Sequence, residues 1–291
     1  MSGPNYALRC IDFYLEAKLT NSMEKPAVTK VEVGQVTVGG ANFVVIAGPC
    51  SVESEEHFLI TGQAAKRSGA NILRGGIFKL RTSPDSFQGL GKDGLAIAKR
   101  VRQELAMPIV CEITDPRQIG DFHDIVDMFQ VGSRNMYNYS LLKELGQTKK
   151  PVMLKRGFSA LIEEWILAAK YVTDGGNPNV ILCERGIRSF EKVTRNTLDL
   201  AAVAYIKQNT SFPVIVDPSH ATGVRNLILP MALVSAAAGA DGLLIEIHPD
   251  PDKALSDGFQ ALDFKQFDQL MDKLSLILDT LNRPLAPTAV V

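Results

Sequence analysis

A short glycine-containing loop concentrates groups that could bind a small anion. The segment Leu73–Pro84 reads LRGGIFKLRTSP and places three cations, Arg74, Lys79 and Arg81, around a pair of glycines directly after an apolar run. Glycine lets the backbone approach a ligand closely, and guanidinium groups match the oxygens of phosphate or carboxylate. The segment alone is also compatible with a solvated loop, so its interpretation depends on the elements around it.

The composition excludes several classes of protein. The chain has 291 residues, 46% of them hydrophobic, and its 31 basic and 32 acidic residues give a net charge of −1. Such balance argues against a protein that binds nucleic acid or a membrane surface. The sequence has no membrane-length apolar stretch, no signal-peptide pattern, and only four scattered cysteines. We therefore expect a cytoplasmic protein.

Short β-branched runs alternate with longer helical patterns from about residue 41. The runs are apolar almost throughout, as expected for strands covered on both faces. The predicted strands are Phe43–Ala47, Asn71–Arg74, Ile109–Ile113, Met128–Val131, Val152–Lys155, Val180–Glu184, Val214–Asp217 and Leu243–Ile247. The predicted helices are Glu55–Arg67, Asp93–Leu105, Ser159–Thr173, Asn196–Asn209, Arg225–Ala238 and Phe264–Leu281, with a short one near Ser140–Leu145.

Eight strand–helix units in about 250 residues predict an α/β protein of the (β/α)₈ TIM-barrel class. An open doubly wound sheet is the alternative. Before the barrel, the valines of the segment Val31–Val38 alternate between glycines, which predicts a small hairpin that caps the bottom of the barrel. We therefore divide the chain into an N-terminal extension (1–40), a catalytic barrel (41–282) and a C-terminal tail (283–291).

Polar residues collect at the carboxyl ends of the predicted strands, where TIM barrels carry their active sites. The cations follow strands two, four, five and six: Arg74, Lys79, Arg81, Arg134, Lys155 and Arg185. Potential metal ligands follow strands seven, eight and one: His220, Glu246, Asp257 and Cys50. Because closure makes strand eight a neighbour of strand one, we expect a divalent metal on one side of the mouth and a strongly anionic substrate on the other.

Each candidate also has a structural explanation. Cys50 could be a small buried filler. Glu246 is the stronger case, since a carboxylate in an apolar strand is costly to bury unless it is paired or metal-bound. His248 is a rival to His220 as a ligand. Lys155 lies in an apolar strand and requires an anionic partner, for which phosphate is suitable.

Other chemically capable residues are given no role. Cys111 and Cys183 lie inside strands and are expected in the core, and His57 and His123 are expected to be solvated helix residues. The segment Gly89–Gly94 fits the pattern G-x-G-x-x-G, but a dinucleotide-binding turn must follow a strand directly. Here the segment Leu73–Pro84, the cationic loop, lies between the preceding strand and this pattern, so we do not expect nicotinamide binding.

Five ordered segments resemble 3-deoxy-D-arabino-heptulosonate 7-phosphate (DAHP) synthases, specifically the subfamily close to 3-deoxy-D-manno-octulosonate 8-phosphate synthases. They are Ala47–Ser54 (AGPCSVES), Lys79–Pro84 (KLRTSP), Leu182–Gly186 (LCERG), Val216–Gly223 (VDPSHATG) and Ile245–Pro249 (IEIHP). The resemblance runs from about residue 41 to 280. It implies a TIM barrel, a homotetramer or homodimer, and the condensation of phosphoenolpyruvate with erythrose 4-phosphate at the entry to the shikimate pathway of aromatic amino acid and chorismate biosynthesis.

The resemblance also implies roles for the candidate residues. One divalent metal would bind Cys50, His220, Glu246 and Asp257; phosphoenolpyruvate would bind Arg74, Lys79, Arg134, Lys155 and Arg185; and the aldose phosphate would bind Arg81 and Thr82. Lys79, His220 and Asp257 would be catalytic, with Lys79 protonating the forming alkoxide and neighbouring cations lowering its pKa. The mixed ligand set fits Mn²⁺, Fe²⁺, Co²⁺ or Zn²⁺ better than Mg²⁺ or Ca²⁺.

One residue departs from the family pattern. Such synthases usually read Lys-Pro-Arg-Thr, and here Leu80 replaces the proline, which leaves the pose of Arg81 less constrained. The octulosonate synthases, which use arabinose 5-phosphate, usually carry Asn-Arg-Ser at this place, so the segment favours erythrose 4-phosphate. Octulosonate synthesis is the alternative function, and a non-catalytic sugar-phosphate-binding barrel is a remote one. Since the ends of the chain are short, we expect no feedback inhibition through an appended domain.

Overall fold

Eight parallel strands close into a barrel in the computed structural model, which describes residues 26–80, 83 and 85–288. The strands are β3 (Val44–Gly48), β4 (Ile72–Arg74), β5 (Ile109–Ile113), β6 (Met128–Val131), β7 (Val152–Lys155), β8 (Val180–Glu184), β9 (Val214–Val216) and β10 (Gly242–Glu246). Each strand pairs with the next, and β10 pairs with β3 from Gly242↔Val44 to Glu246↔Gly48. The TIM-barrel prediction is confirmed, and the open sheet is excluded.

Helices connect the strands on the outside of the barrel. The described helices are α1 (Glu55–Arg67), α2 (Lys92–Leu105), α3 (Ile119–His123), α4 (Tyr139–Gly146), α5 (Ile162–Thr173), α6 (Leu200–Asn209), α7 (Pro218–Thr222), α8 (Arg225–Ala237) and α9 (Phe264–Thr280). Two of them begin later than predicted. The Glu164 carboxylate accepts the backbone N–H of Leu161 before α5, and the Asp199 side chain caps α6. No helix in the described part of the chain is long and apolar enough to cross a membrane.

Along each strand, the side chains point in turn to the inside of the barrel and to the surrounding helices. This follows from the two-residue period of a strand, and burial on both faces explains why the strands are apolar. The inward set comprises Val44, Ile46, Ile72, Val110, Met128, Met153, Ile181, Cys183, Ile215 and Leu244. Two residues further along most of these strands, on the same face, the side chain becomes polar: Arg74, Glu112, Gln130, Lys155, Arg185, Asp217 and Glu246. The mouth of the barrel therefore carries a ring of polar groups above an apolar interior.

A hairpin covers the opposite, amino-terminal end of the barrel. Strands β1 (Val31–Val33) and β2 (Val36–Val38) pair antiparallel, as predicted, and their valines pack with the inward residues of the barrel. The turn residue Gly34 has a φ of +59° and lies against Pro108, which precedes β5. Residues 1–25 of the N-terminal extension lie outside the described part of the chain.

Candidate active site

A cleft of about 300 Å³ opens at the carboxyl ends of the barrel strands, which is large enough for a small ligand. Among the residues predicted to act there, those that line it are Arg74, Lys79, Arg134, Lys155, Arg185, His220 and Asp257. Leu80 and Ser83 of the cationic loop also face the cleft. Arg81 and Thr82, predicted to bind the aldose phosphate, lie outside the described residues.

The four predicted metal ligands meet on one side of this cleft. Donor atoms of Cys50, His220 and Glu246 lie within 4.8 Å of one another. Asp257 joins them, because its Oδ2 accepts a hydrogen bond of 3.1 Å from the Cys50 thiol. Two loops, the short helix α7 and the end of strand β10 supply these residues, and the barrel closure of β10 against β3 brings them together.

The imidazole of His220 is held with a free lone pair toward this cluster. His220 lies in the short helix α7, whose first turn is capped by Asp217. The Asp217 carboxylate accepts from Nδ1 at 2.7 Å, so we assign the proton to Nδ1 and the lone pair to Nε2, which lies 3.2 Å from Glu246 Oε1. Burial lowers the pKa of His220 to about 4, although Asp217 and Glu246 act in the opposite direction. The ring is therefore neutral.

Glu246 is fully buried and leaves one carboxylate oxygen without a hydrogen bond. Its Oε2 accepts from Gln260 Nε2 at 2.5 Å, whereas Oε1, 3.0 Å from Arg74 Nη1, has no hydrogen-bond partner among the described residues. Burial raises the pKa of Glu246, but the opposite effects of His220 and Arg74 are larger. The pKa of Glu246 therefore lies below its ordinary value. A buried, ionised oxygen that accepts no hydrogen bond is costly, and a bound cation would reduce that cost.

Lys79 lies directly beside Cys50. Its Nζ donates to the Cys50 sulfur at 2.8 Å and to the Cys50 carbonyl at 3.0 Å. Burial and Glu246 raise the pKa of the thiol to about 12 despite Lys79, so thiolate formation requires further positive charge. The prediction that the pKa of Lys79 is lowered is wrong. Burial lowers it, but Cys50, Glu112 and Glu246 together raise it above its ordinary value.

Two cations on the other side of the cleft are almost fully buried. Lys155 has the anionic partner that its position requires, since its Nζ lies 2.5 Å from Asp217 Oδ2. Arg185 donates to the backbone carbonyls of Gly186 and His220, and burial lowers its pKa to about 10. A buried guanidinium bonded to carbonyl groups is well suited to an anionic ligand.

The cleft contains residues that we did not predict to act there. Glu112 and Gln130 line it from inward positions at the mouth, which the two-residue strand period could have revealed. Arg195 also lines it, donates to Gln260 Oε1 at 2.9 Å, and has Nη1 3.6 Å from Asp257 Oδ1. Arg195 lies in the long loop after β8, where no sequence period points to the cleft.

A second group of potential ligands comprises Glu53, His57 and His248. The prediction that His57 is solvated is wrong, because both ring nitrogens are buried without a hydrogen-bond partner in the described part of the chain. His248 Nδ1 accepts from the Asp250 backbone N–H at 3.0 Å, so the proton of a neutral ring lies on Nε2, which faces Glu53. With its lone pair used in this way His248 is poorly arranged for a metal, which favours His220 instead.

Comparison with known proteins identifies the family. The family model for the DAHP synthetase I family matches residues 19–280. A phospho-2-dehydro-3-deoxyheptonate aldolase of Thermotoga maritima is 44% identical over 264 residues, which cover 91% of this chain and 78% of the relative. A 2-dehydro-3-deoxyphosphooctonate aldolase of Desulfatibacillum aliphaticivorans is 32% identical over 260 residues, covering 82% and 93% of the two chains.

Solved structures agree with the sequence comparison. The crystal structure of phospho-2-dehydro-3-deoxyheptonate aldolase from Thermotoga maritima matches with a TM-score of 0.87 at 44% identity, over 90% of this chain and 76% of that one. A truncated form of 3-deoxy-D-arabino-heptulosonate 7-phosphate synthase from the same organism matches with a TM-score of 0.84 at 41% identity, over 90% and 96%. Because the family model spans most of the chain and these relatives share both sequence and fold, this protein belongs to the DAHP synthetase I family.

Proposed function

We propose that this protein is a metal-dependent 3-deoxy-7-phosphoheptulonate synthase, which condenses phosphoenolpyruvate, D-erythrose 4-phosphate and water to DAHP and phosphate in the shikimate pathway. The observation that carries the proposal is the division of one cleft between a group of cations and a cluster of potential metal ligands. Two phosphorylated substrates repel each other, and Arg and Lys neutralise them while fixing their orientation.

We propose Cys50, His220, Glu246 and Asp257 as the ligands of one divalent cation. The Glu246 oxygen that accepts no hydrogen bond among the described residues and the lone pair of His220 support this fit. When bound, such a cation supplies positive charge that polarises a carbonyl oxygen and favours the thiolate of Cys50. The mixture of sulfur, nitrogen and oxygen donors favours Mn²⁺, Fe²⁺, Co²⁺ or Zn²⁺.

The cations are assigned to the two substrates. We propose that phosphoenolpyruvate contacts five of the cations that line the cleft, Arg74, Lys79, Arg134, Lys155 and Arg185. The buried guanidinium of Arg185 and the buried ammonium of Lys155 support this, because both lie where a ligand anion would be shielded from water. Arg81 and Thr82 are proposed to bind the phosphate of the aldose, on the basis of the family resemblance.

The reaction forms one carbon–carbon bond and one carbon–oxygen bond to water, and it breaks the carbon–oxygen bond to the departing phosphate. The methylene carbon of phosphoenolpyruvate attacks the aldehyde carbon, water adds at the cationic carbon that results, and phosphate leaves from the tetrahedral intermediate. Lys79 is proposed to donate its Nζ proton to the aldehyde oxygen as the alkoxide forms. Its raised pKa keeps that proton in place before the reaction.

Phosphate release tests the proposal directly. The enzyme should release phosphate from phosphoenolpyruvate with erythrose 4-phosphate much faster than with arabinose 5-phosphate, and a chelator should stop the reaction. Faster turnover with arabinose 5-phosphate would indicate the octulosonate synthase, and no release with either aldose would indicate a non-catalytic barrel. The higher identity to the heptonate relative, 44% against 32%, favours the first outcome. We also propose a homotetramer or homodimer, which sedimentation would test.

A further inference from the structure

The ring of Phe158 lies among three guanidinium groups at the edge of the cleft. Phe158 follows β7 and lines the cleft. The Cζ atoms of Arg185, Arg188 and Arg134 lie 4.7, 4.9 and 5.3 Å from the centroid of its ring. Arg134 follows β6 and the other two follow β8, so the ring contacts cations from the loops of both neighbouring strands.

An aromatic ring can gather these cations without neutralising them. Its face attracts a guanidinium electrostatically but carries no net charge. The nearby Arg156 is neutralised by carboxylates instead. It forms salt bridges with Glu184 and Asp199, and it does not line the cleft. A carboxylate at position 158 would compete with an anionic substrate for the same donors. The ring therefore orients the cations and leaves their positive charge available to an anionic substrate.

Arg185 is buried, whereas Arg134 and Arg188 are exposed. Only 2% of the Arg185 residue is exposed, and no carboxylate among the described residues forms a salt bridge with it. Its hydrogen bonds go to two backbone carbonyls, and burial lowers its pKa. The loops themselves are joined, because the Arg188 N–H donates to the Phe158 carbonyl at 2.6 Å. The ring thus lies in a fixed place beside a guanidinium that retains donors for a ligand.

We propose that Phe158 is a positioning residue whose ring holds Arg134 and Arg185 in the orientation that binds the anionic groups of phosphoenolpyruvate. The inference rests on the proposed function, since those two arginines are assigned to that substrate. Phe158 itself supplies no charge and no hydrogen-bond donor from its side chain. Its effect on the reaction is therefore expected in the KM for phosphoenolpyruvate and much less in kcat.

A series of fluorinated phenylalanines separates cation binding from packing. Site-specific replacement of Phe158 by phenylalanine with one, two and three ring fluorines weakens the attraction for cations stepwise while nearly preserving shape. The KM for phosphoenolpyruvate should rise at each step, to about tenfold for the trifluorinated ring and for Phe158→Leu. Phe158→Tyr retains the aromatic face and should stay close to the unmodified enzyme.

The control is Phe190, which lies in the loop after β8 and is 94% exposed. The same fluorinated residues at position 190 should leave the KM for phosphoenolpyruvate and the KM for the aldose phosphate unchanged. A KM that is constant across the fluorinated series at position 158 would overturn the inference, even if Phe158→Leu raised it, because packing alone would then explain the leucine variant. The unmodified enzyme distinguishes the two proposals: if it releases no phosphate, the proposed function fails, whereas an active enzyme with a flat series overturns only the role of Phe158.

Discussion

The Asp217 carboxylate holds His220 in two ways. Its Oδ1 accepts the backbone N–H of His220 at 2.9 Å, and its Oδ2 accepts from the ring Nδ1 at 2.7 Å. The same Oδ2 lies 2.5 Å from Lys155 Nζ. One buried carboxylate therefore caps α7, fixes the ring so that Nε2 faces Glu246, and neutralises a cation of the cleft.

Asp217→Asn should weaken metal binding without removing a ligand. An amide has only one oxygen and carries no charge, so it cannot serve both the ring and Lys155 as the carboxylate does. We expect metal affinity to fall about 10- to 100-fold, as is typical when the partner of a ligating histidine is lost. Metal titration monitored by calorimetry measures this, and Asp115→Asn at the surface is the control. Unchanged affinity in Asp217→Asn would contradict the assigned orientation of His220.

Cys50→Ala and His220→Ala should lose bound metal and activity together. Each removes one donor atom of the cluster in which Cys50, His220 and Glu246 lie within 4.8 Å. Elemental analysis and phosphate release on the same samples provide the two measurements. Cys111→Ala is a matched control, because that thiol is buried but lies outside the cleft. Full activity in protein shown to be free of metal would refute the ligand assignment.

The sequence predicted the barrel and most of the cleft because strand patterning is local. Strands covered on both faces must be apolar, and a polar residue at such a strand's carboxyl end, as with Lys155 and Glu246, points into the mouth. The same period also placed Glu112, two residues after the inward Val110, at a strand end, but we assigned it no role. The signal for that residue was therefore present in the sequence.

Other features depend on how distant loops meet. The sign of the pKa shift of Lys79 is set by its contact with Cys50 and the nearby charges of Glu112 and Glu246, and these distances are not encoded in any spacing. The burial of His57 likewise depends on packing against His248, with ring centroids 4.5 Å apart. The roles of Arg81 and Thr82 stay predictions.

A hydrogen bond between two serines should help to position two of the proposed metal ligands. Ser51 Oγ and Ser256 Oγ are buried and 2.7 Å apart, and each serine is next in sequence to a ligand, Cys50 or Asp257. Ser256→Ala leaves the Ser51 hydroxyl without this partner, and we expect metal affinity to fall by about tenfold. Calorimetric titration measures this, with the exposed Ser140→Ala as the control. Equal affinities in the two variants would show that the contact does not position Asp257.

A substitution in the hairpin at the amino-terminal end of the barrel should change stability without changing catalysis. Val33 of the hairpin is buried against the inward residues at the amino-terminal end, opposite the cleft. Val33→Ala leaves a small cavity and should lower the free energy of unfolding by about 2 kcal/mol, measured by urea denaturation. Glu32→Gln, on the exposed face of the same strand, should change it by less than about 0.5 kcal/mol. Both variants should keep the KM values of the unmodified enzyme, because the reacting groups lie at the other end of the strands. A changed KM in Val33→Ala would show that the hairpin and the cleft are coupled through the barrel interior.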